Sequence, residues 1–343
     1  MMNTNHAIAA QAELHHQYFL GLQLMVAVEE TKQTVYDWMF RLFRRQHEDK
    51  FLSSFEKLGL NGQPHAVACA KYHVLSNGMG GVAVEYMEES ATKAWVRFRY
   101  PRWMYAGPAI CGIPVEASRG FLNGWYAQNG VSLQNLRLGF VCVSEDVTGQ
   151  FGLCGYFKEY DRKLADDERL VFAPDERPPA YDPAAQPQPP AGEWSEERLA
   201  KANRNYAMEY VRNGLRALSE TIGRDRAVEL GKRAARLTGL QQYPGLAAAV
   251  GAVDGDASNA ADFLASILAG MGDACEITRD GEDVLVTQTG LRIARGIEGT
   301  ARDDLLACWQ ELWGGAIASH RAFMSVNCDA GHDQLVWRIR TDR

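Results

Sequence analysis

Apolar positions in the first half of the chain follow helical spacing and then strand spacing. A stripe at positions i, i+3, i+4 and i+7 is formed by Tyr36, Met39, Phe40 and Phe43. This spacing is typical of an amphipathic helix. A second helix is predicted over residues 64–75, after the Asn61-Gly62 break. The first half therefore begins with helices.

Two β-hairpins are predicted after these helices, with another helix between them. Residues 82–87 and 94–99 alternate apolar and polar side chains on either side of a polar turn, which is strand periodicity. A helical pattern then covers residues 114–130. Strands over 138–143 and 152–159 complete the second hairpin.

The second half of the chain repeats this order of elements. Asp280-Gly281 favours a tight turn between the strands of its first hairpin. The predicted elements are helices over 195–238, 257–269 and 300–319, one hairpin over 274–278 and 284–289, and a final strand pair over 323–328 and 335–340.

A proline-rich segment, residues 174–193, divides the two halves. It contains seven of the chain's twelve prolines, a composition typical of an extended, semi-rigid spacer. We therefore predict an N-terminal module over residues 1–173, which carries the candidate ligand site. A C-terminal module over residues 194–343 follows the linker and is mainly structural.

Short matches between the halves support a tandem duplication. Glu30-Thr31 matches Glu220-Thr221, Gly78-Met79-Gly80 matches Gly270-Met271-Gly272, and Cys142 matches Cys328. The offsets are nearly constant, and the shared order of elements is the stronger signal. The predicted fold class is α+β: two tandem modules, each helix-helix-hairpin-helix-hairpin, with helices packed on an antiparallel sheet.

Charge and composition exclude several classes of protein. The formal net charge of −7 argues against a general nucleic-acid binder. No apolar run reaches the roughly 20 residues that cross a bilayer, and no signal peptide is evident, so we expect a cytoplasmic protein without membrane contact. The seven cysteines include no C-x-x-C pair. They suggest neither a disulfide framework nor a zinc ribbon.

The stretch LRLGFVCVSEDVTGQFGLCGYFKEY, residues 136–160, carries a family resemblance. A Gly-Phe-x-Cys strand leads through a polar turn to an aromatic strand that ends near a glutamate. This is similar to the last hairpin of the L-2-amino-thiazoline-4-carboxylate hydrolase family. The element order resembles the module of 4-vinyl-reductase-type ligand domains and TRAPP subunits. The resemblance implies a small-molecule pocket between sheet and helices, and in the hydrolase branch the opening of a cyclic C–N bond.

The segment WVRFRYPRWMY, residues 95–105, is the richest candidate for ligand binding. Its arginines could hold a carboxylate while its aromatic rings enclose the ligand. The same pattern also fits nucleobase stacking, or a solvated arginine face over core tryptophans. The predicted ligand-binding residues are Trp95, Arg97, Arg99, Arg102, Trp103, Tyr105, Trp125, Asn129 and Tyr156.

Three residues are candidates for acid, base or nucleophile. Cys142, late in a predicted strand, could attack an electrophilic carbon if its pKa were lowered; it could equally be a buried strand cysteine. His73 could act as general base or be a helix-end histidine. Glu159 could serve as an acid or base or be a surface carboxylate. No metal ligands are predicted.

Two functions remain open from the sequence. One is a hydrolase, or similar non-redox enzyme, acting on a small nitrogen-containing carboxylate metabolite. The other is a non-catalytic small-molecule-binding module, or an accessory subunit that docks on an enzyme. A homodimer would fit either function. The sequence contains no dinucleotide fingerprint, phosphate loop or haem-ligand pair, so the cofactor stays unknown.

Overall fold

The computed structural model describes residues 4–189, 195–321 and 323–341, apart from the side chains of residues 4 and 5. The chain forms two compact units. One unit, here the central unit, is Val26–Ser195. The other, here the split unit, joins Met1–Met25 to Glu196–Arg343. Helices and antiparallel strands build both units, so the predicted α+β class is confirmed.

Helices of the central unit precede and follow its first hairpin. Thr31 begins the long helix α2 by accepting a hydrogen bond from the Thr34 amide, which satisfies a free N–H of the first turn. The helices are α2 (Lys32–Lys57), α3 (His65–Met79), α4 (Val115–Trp125) and the short α5 (Asn129–Ser132). They follow α1 (Thr4–Glu29), most of which belongs to the split unit.

The central sheet has five strands in the order β1-β2-β4-β3-β5. The strands are β1 (Val84–Ser90), β2 (Lys93–Phe98), β3 (Leu138–Ser144), β4 (Cys154–Glu159) and β5 (Leu170–Phe172). Both predicted hairpins are present. β5, which the sequence pattern did not reveal, lies parallel to β3 at the edge.

Register assigns alternate residues of these strands to opposite faces of the sheet. Phe140 and Phe157 are paired neighbours on the inner face, where they pack with Tyr126 from the helical layer. Trp95 and Tyr156 are paired neighbours on the opposite, outer face. Because side chains alternate along a strand, residues that are adjacent in sequence are separated by the sheet.

The proline-rich segment covers the outer face. This strap, residues 173–188, is anchored by the Ala173 amide, which donates to the Cys142 carbonyl at 2.9 Å. At its other end the Gln186 side chain donates to the Tyr86 carbonyl and accepts from the Tyr86 amide, both at 2.9 Å. These bonds occupy backbone groups of the edge strand β1. The strap is therefore part of the domain rather than a free spacer; residues 190–193 lie outside the described residues.

The split unit contains four long helices after the strap and a four-stranded antiparallel sheet. The helices are α6 (Glu196–Ile222), α7 (Arg224–Val250), α8 (Ala257–Met271) and α9 (Gly299–His320). The strands are β6 (Ala274–Asp280), β7 (Asp283–Thr289), β8 (Met324–Ala330) and β9 (Gln334–Thr341), in the order β6-β7-β9-β8. Gly281, with φ of +64°, lies in the predicted tight turn.

The N-terminal helix α1 packs inside the split unit. Gln11 Nε2 donates to the Ile267 carbonyl at 2.8 Å, and the Tyr18 hydroxyl donates to the Gly231 carbonyl at 3.0 Å. Most described residues of α1 are buried, as expected of a helix that is surrounded by others. This grouping differs from the sequence-based division, which placed residues 1–173 together.

Glycines let the long helices of each unit approach closely. A Cβ added to Gly120 of α4 would lie 2.5 Å from the Tyr36 carbonyl oxygen of α2, and one added to Gly124 would lie 2.7 Å from the Phe40 carbonyl oxygen. In the split unit, Gly239 of α7 faces the Leu312 carbonyl of α9 in the same manner. A methyl group at these positions would push two backbones apart.

We expect Gly120→Ala to destabilise the protein by about 1–3 kcal/mol, because the new methyl group must displace backbone rather than a flexible side chain. Gly78→Ala in α3 is the matched control, since nothing lies within 4 Å of its added Cβ. That substitution should be neutral or stabilise by up to about 1 kcal/mol. Urea denaturation measures both; equal stability of the two variants would contradict the close-packing argument.

Candidate functional site

The predicted arginine clamp is neutralised by carboxylates of the chain itself. Arg97 Nη1 lies 3.0 Å from Glu85 Oε2, and Arg99 Nη1 lies 2.8 Å from Glu85 Oε1. Glu85 is buried, and Arg97 also donates to the Phe151 carbonyl. The two arginines therefore meet around a resident carboxylate of the chain.

Arg102 forms a buried ion pair with Asp146. Its Nη1 lies 2.5 Å from Asp146 Oδ1, and both side chains are at most 4% exposed. The Tyr100 hydroxyl donates to the same oxygen, and the Ser118 hydroxyl donates to Asp146 Oδ2 at 2.7 Å. The guanidinium also lies 4.4 Å from the centre of the Phe98 ring. Such a set satisfies a buried charge.

The remaining aromatic residues of residues 95–105 occupy different surroundings. Tyr105 is buried beside Arg102, and burial raises the pKa of its hydroxyl. Trp103 is half-buried in a short 3₁₀ turn. Trp95 and Tyr156 pack together on the outer face at 4.5 Å. Lys93 of β2 lies over the Tyr156 ring, and Glu176 of the strap accepts a hydrogen bond from the Tyr156 hydroxyl. These residues do not converge on one cavity.

Cys142 is a buried thiol on β3. Its Sγ donates to the Ser144 carbonyl at 3.4 Å, and burial raises its pKa well above the usual range. At neutral pH the group is therefore the weakly nucleophilic thiol. This geometry fits the buried strand cysteine that the sequence left as one alternative.

Glu159 lies at the other end of the sheet from Cys142. Cys142 pairs with Gly155, four residues before Glu159 on β4, so the two side chains are about 13 Å apart along the strand. Glu159 forms an ion pair with Arg137. Both line an open groove of about 580 Å³ that His65 also lines. His73 does not line this groove.

Three predicted residues do come together under the helical layer: His73, Trp125 and Asn129. Asn129 Nδ2 donates to His73 Nε2 at 3.1 Å, and both side chains are at most 2% exposed. The His73 ring stacks on Tyr126 with centroids 4.0 Å apart. Burial holds the pKa of His73 well below its usual range, so the imidazole is neutral at pH 7.

His47 of α2 joins this group, which we name the His47–His73 cluster (His47, His73, Trp125 and Asn129). The His47 ring meets Trp125 edge-on at 5.3 Å, and its Nε2 lies 2.9 Å from the Ser132 hydroxyl. Burial lowers the pKa of His47 to about 3. Within the described residues, His47 Nδ1, Trp125 Nε1 and Asn129 Oδ1 are buried and have no hydrogen-bond partner. Buried polar atoms of this kind are rare in folded proteins.

Sequence reasoning missed the partners that decide these environments. Glu85, Asp146, Ser118 and His47 were not singled out, although Asp146 lies in the polar turn of the second hairpin. The available signal was indirect: an arginine flanked by aromatic residues after a strand needs a carboxylate when it is buried. The sequence does not show which carboxylate provides it.

No family model, curated protein or solved structure matches this chain. In the described ranges, no three histidine, cysteine or acidic side chains cluster as metal ligands would. None of the helices described combines the length and apolar character needed to cross a membrane.

Removing one partner of the Arg102–Asp146 pair should be strongly destabilising. We expect Asp146→Asn to lower the free energy of unfolding by about 3–5 kcal/mol, since it leaves a buried guanidinium without its counter-charge. The double variant Arg102→Met, Asp146→Leu should recover part of this loss. Urea denaturation measures both variants; a double variant that is no more stable than Asp146→Asn would contradict the prediction that the unpaired guanidinium causes the loss.

Buried neutral histidines should make the protein sensitive to acid. His47 has a pKa of about 3 and His15 of about 4 in the folded state, below the value of about 6.5 for an unfolded chain. The unfolded state therefore binds more protons below pH 6.5, and stability falls as pH decreases from there. The slope should reach about 1.4 kcal/mol per pH unit for each such histidine.

Unfolding free energies measured by urea between about pH 7 and pH 5 test this dependence. His47→Gln should reduce the slope. The control His332→Gln changes an exposed histidine and should leave the slope unchanged. Stability that is constant across this range would contradict the assignment of neutral buried imidazoles.

Proposed function

We propose that the chain is a non-catalytic binding module whose central unit holds a small, flat, uncharged nitrogen-containing molecule at the His47–His73 cluster. The observation that carries this proposal is the set of three buried polar atoms without partners: His47 Nδ1, Trp125 Nε1 and Asn129 Oδ1. Leaving such atoms unpaired costs about 1–3 kcal/mol each. A ligand that paired with them would recover that cost.

The chemistry of these atoms indicates the class of ligand. The Trp125 indole is only a donor, and the Asn129 oxygen is only an acceptor. A molecule that presents an acceptor beside a donor, as the ring nitrogen and amino group of an amino-substituted heteroaromatic ring do, complements this pair. The rings of His73 and Tyr126 stack on each other and give the cluster an aromatic wall. Trp125 is half-buried, so the cluster reaches the surface at that ring.

Electrostatics favours an uncharged ligand over the carboxylate metabolite expected for a hydrolase. Both imidazoles are neutral at pH 7, and the predicted arginines pair with Glu85 and Asp146 instead. Arg44, the cation that acts on His47, is already bonded to the Asn123 and Gly124 carbonyls. An anion in the cluster would therefore lose its hydration without gaining an unpaired counter-charge.

The hydrolase function has less support. Its proposed nucleophile, base and acid are Cys142, His73 and Glu159. The Cys142 thiol is protonated at neutral pH; His73 is enclosed, and Glu159 lies at the far end of the sheet. A binding module, alone or as an accessory subunit, requires none of these three to meet.

We also propose that the two units are diverged copies of one module. In each sheet the second strand of the first hairpin pairs with the second strand of the last hairpin: β2 with β4, and β7 with β9. The matched Gly-Met-Gly sequences end α3 and α8, and Cys142 and Cys328 lie in the equivalent strands β3 and β8. Close helix contacts at glycines recur in both units.

Calorimetric titration with 2-aminothiazole, which is neutral at pH 7, tests the binding proposal. We expect saturable binding by the wild-type chain. Trp125→Phe, which removes the indole donor but keeps an aromatic ring, should weaken binding about tenfold, the effect of roughly 1.4 kcal/mol. Trp103→Phe is the matched control at another half-buried tryptophan and should bind as the wild type does.

A turnover assay with 2-aminothiazoline-4-carboxylate separates binding from catalysis. We expect no ring opening above that of a Cys142→Ala variant. Hydrolysis by the wild type that Cys142→Ala abolishes would establish the hydrolase function and reject the non-catalytic one. Absence of 2-aminothiazole binding, or equal binding by Trp125→Phe, would reject the His47–His73 cluster as the site.

A further inference from the structure

A second candidate site lies in the split unit, to which the sequence assigned a structural role. A cleft of about 560 Å³ opens between the second half of α6, the starts of α7 and α9, and the loop that precedes α9. This volume lies within the range of small-molecule sites. The cleft contains only residues of the split unit, so it is separate from the His47–His73 cluster.

The charges that line the cleft leave one carboxylate unpaired. Three arginines each have a carboxylate partner, in the pairs Arg212–Glu209, Arg216–Glu220 and Arg224–Asp304, at 3.0, 3.3 and 2.7 Å. Glu298 is the fourth acidic residue of the lining. It forms no hydrogen bond or ion pair with any other residue in the described ranges. The unbalanced negative charge favours a cationic group beside Glu298.

Arg212 lines the same cleft and retains an unpartnered donor. Its Nη1 donates to Glu209 and its Nη2 donates to the Arg295 carbonyl, three residues before Glu298. Its Nε is buried and has no partner among the described residues. This N–H requires an acceptor, which a carboxylate oxygen of a ligand provides.

Apolar side chains form the rest of the lining. Leu215 and Leu305 are buried, and Val228 and Ile297 are partly buried. At the base, Cys308 is buried, and burial raises its pKa to about 12, so its thiol adds no charge. An aliphatic body would gain about 25 cal/mol for each Å² of apolar surface that it removes from water here.

We propose that this cleft binds a small aliphatic amino acid as its zwitterion, with the ammonium group at Glu298, the carboxylate at Arg212 Nε and the side chain on the apolar wall. An ammonium group and a carboxylate on one carbon complement an unpaired carboxylate and a free guanidinium donor on neighbouring segments. The site does not depend on ligand binding by the central unit.

Three probes with the same isobutyl side chain test the proposal by calorimetric titration: leucine, 3-methylbutylamine and 4-methylpentanoate. Leucine carries both charged groups, and the other two carry one each. We expect leucine to bind most tightly, 3-methylbutylamine more weakly, and 4-methylpentanoate not at all at millimolar concentration. Equal or tighter binding of 4-methylpentanoate, or no binding of leucine, would overturn the proposal.

Substitutions at Glu298 and Arg212 test which group of the ligand each side chain contacts. Glu298→Gln changes an exposed side chain, so the fold should be retained. It should weaken the binding of leucine and of 3-methylbutylamine by about tenfold or more, the effect of losing a charged hydrogen bond. Arg212→Lys should weaken leucine but leave 3-methylbutylamine unchanged. Glu276→Gln, the same change at an exposed strand position, is the control and should bind all three as the wild type does.

Trp125→Phe distinguishes this site from the one in the central unit. It should bind leucine with wild-type affinity, whatever its affinity for 2-aminothiazole. Loss of leucine binding in Trp125→Phe, or unchanged leucine binding in Glu298→Gln, would show that leucine binds elsewhere and would reject the cleft as its site.

Discussion

The close contact between the helices on either side of the first hairpin is the constraint on which each unit depends. In the central unit it brings α4 onto α2 at Gly120 and Gly124, and in the split unit it brings α9 onto α7 at Gly239. Each contact places a helix that follows the hairpin beside one that precedes it. The hairpin between those helices and the strands that follow the second helix pair as one sheet under a common helical layer, and in the central unit the His47–His73 cluster lies against the inner face of that sheet.

Charge distribution follows from that architecture. Arg97 lies on the outer face of the sheet, where it pairs with Glu85, and the His47–His73 cluster lies on the inner face. The loop after β2 places Arg102 beside Asp146. Arg97 and Arg102 each pair with a carboxylate. The imidazoles of His47 and His73 are buried among aromatic rings and are neutral at pH 7. An arrangement of this kind suits recognition by hydrogen bonds and stacking better than chemistry that needs an exposed nucleophile or an unpaired cation.

The composition of the proline-rich strap predicted a spacer between two modules, but the strap is bonded to the central sheet. Proline favours an extended backbone, and residues 174–189 contain no helix or strand apart from a turn at residues 174–175 and a short 3₁₀ turn at Pro183–Ala185. The outer face beneath them presents Met87, Trp95 and Val141, and an extended segment can cover such a surface while Gln186 bonds to the edge strand. In the split unit, the sheet face opposite buried Val286 and Trp337 carries polar residues such as Thr287 and Arg338, which need no such cover.

The sequence alone determined the α+β class, the four hairpins and most of the helices, because periodicities of 3.6 and 2 residues are local properties of the chain. It named His73, Trp125 and Asn129 among twelve candidate site residues, but it did not show that these three meet. Only the tertiary structure decided that α1 packs with the C-terminal half, that the strap covers the sheet, and that Glu85 and Asp146 neutralise the arginines. Those contacts join residues 12 to more than 200 positions apart, and no local pattern encodes which distant group will satisfy a buried charge.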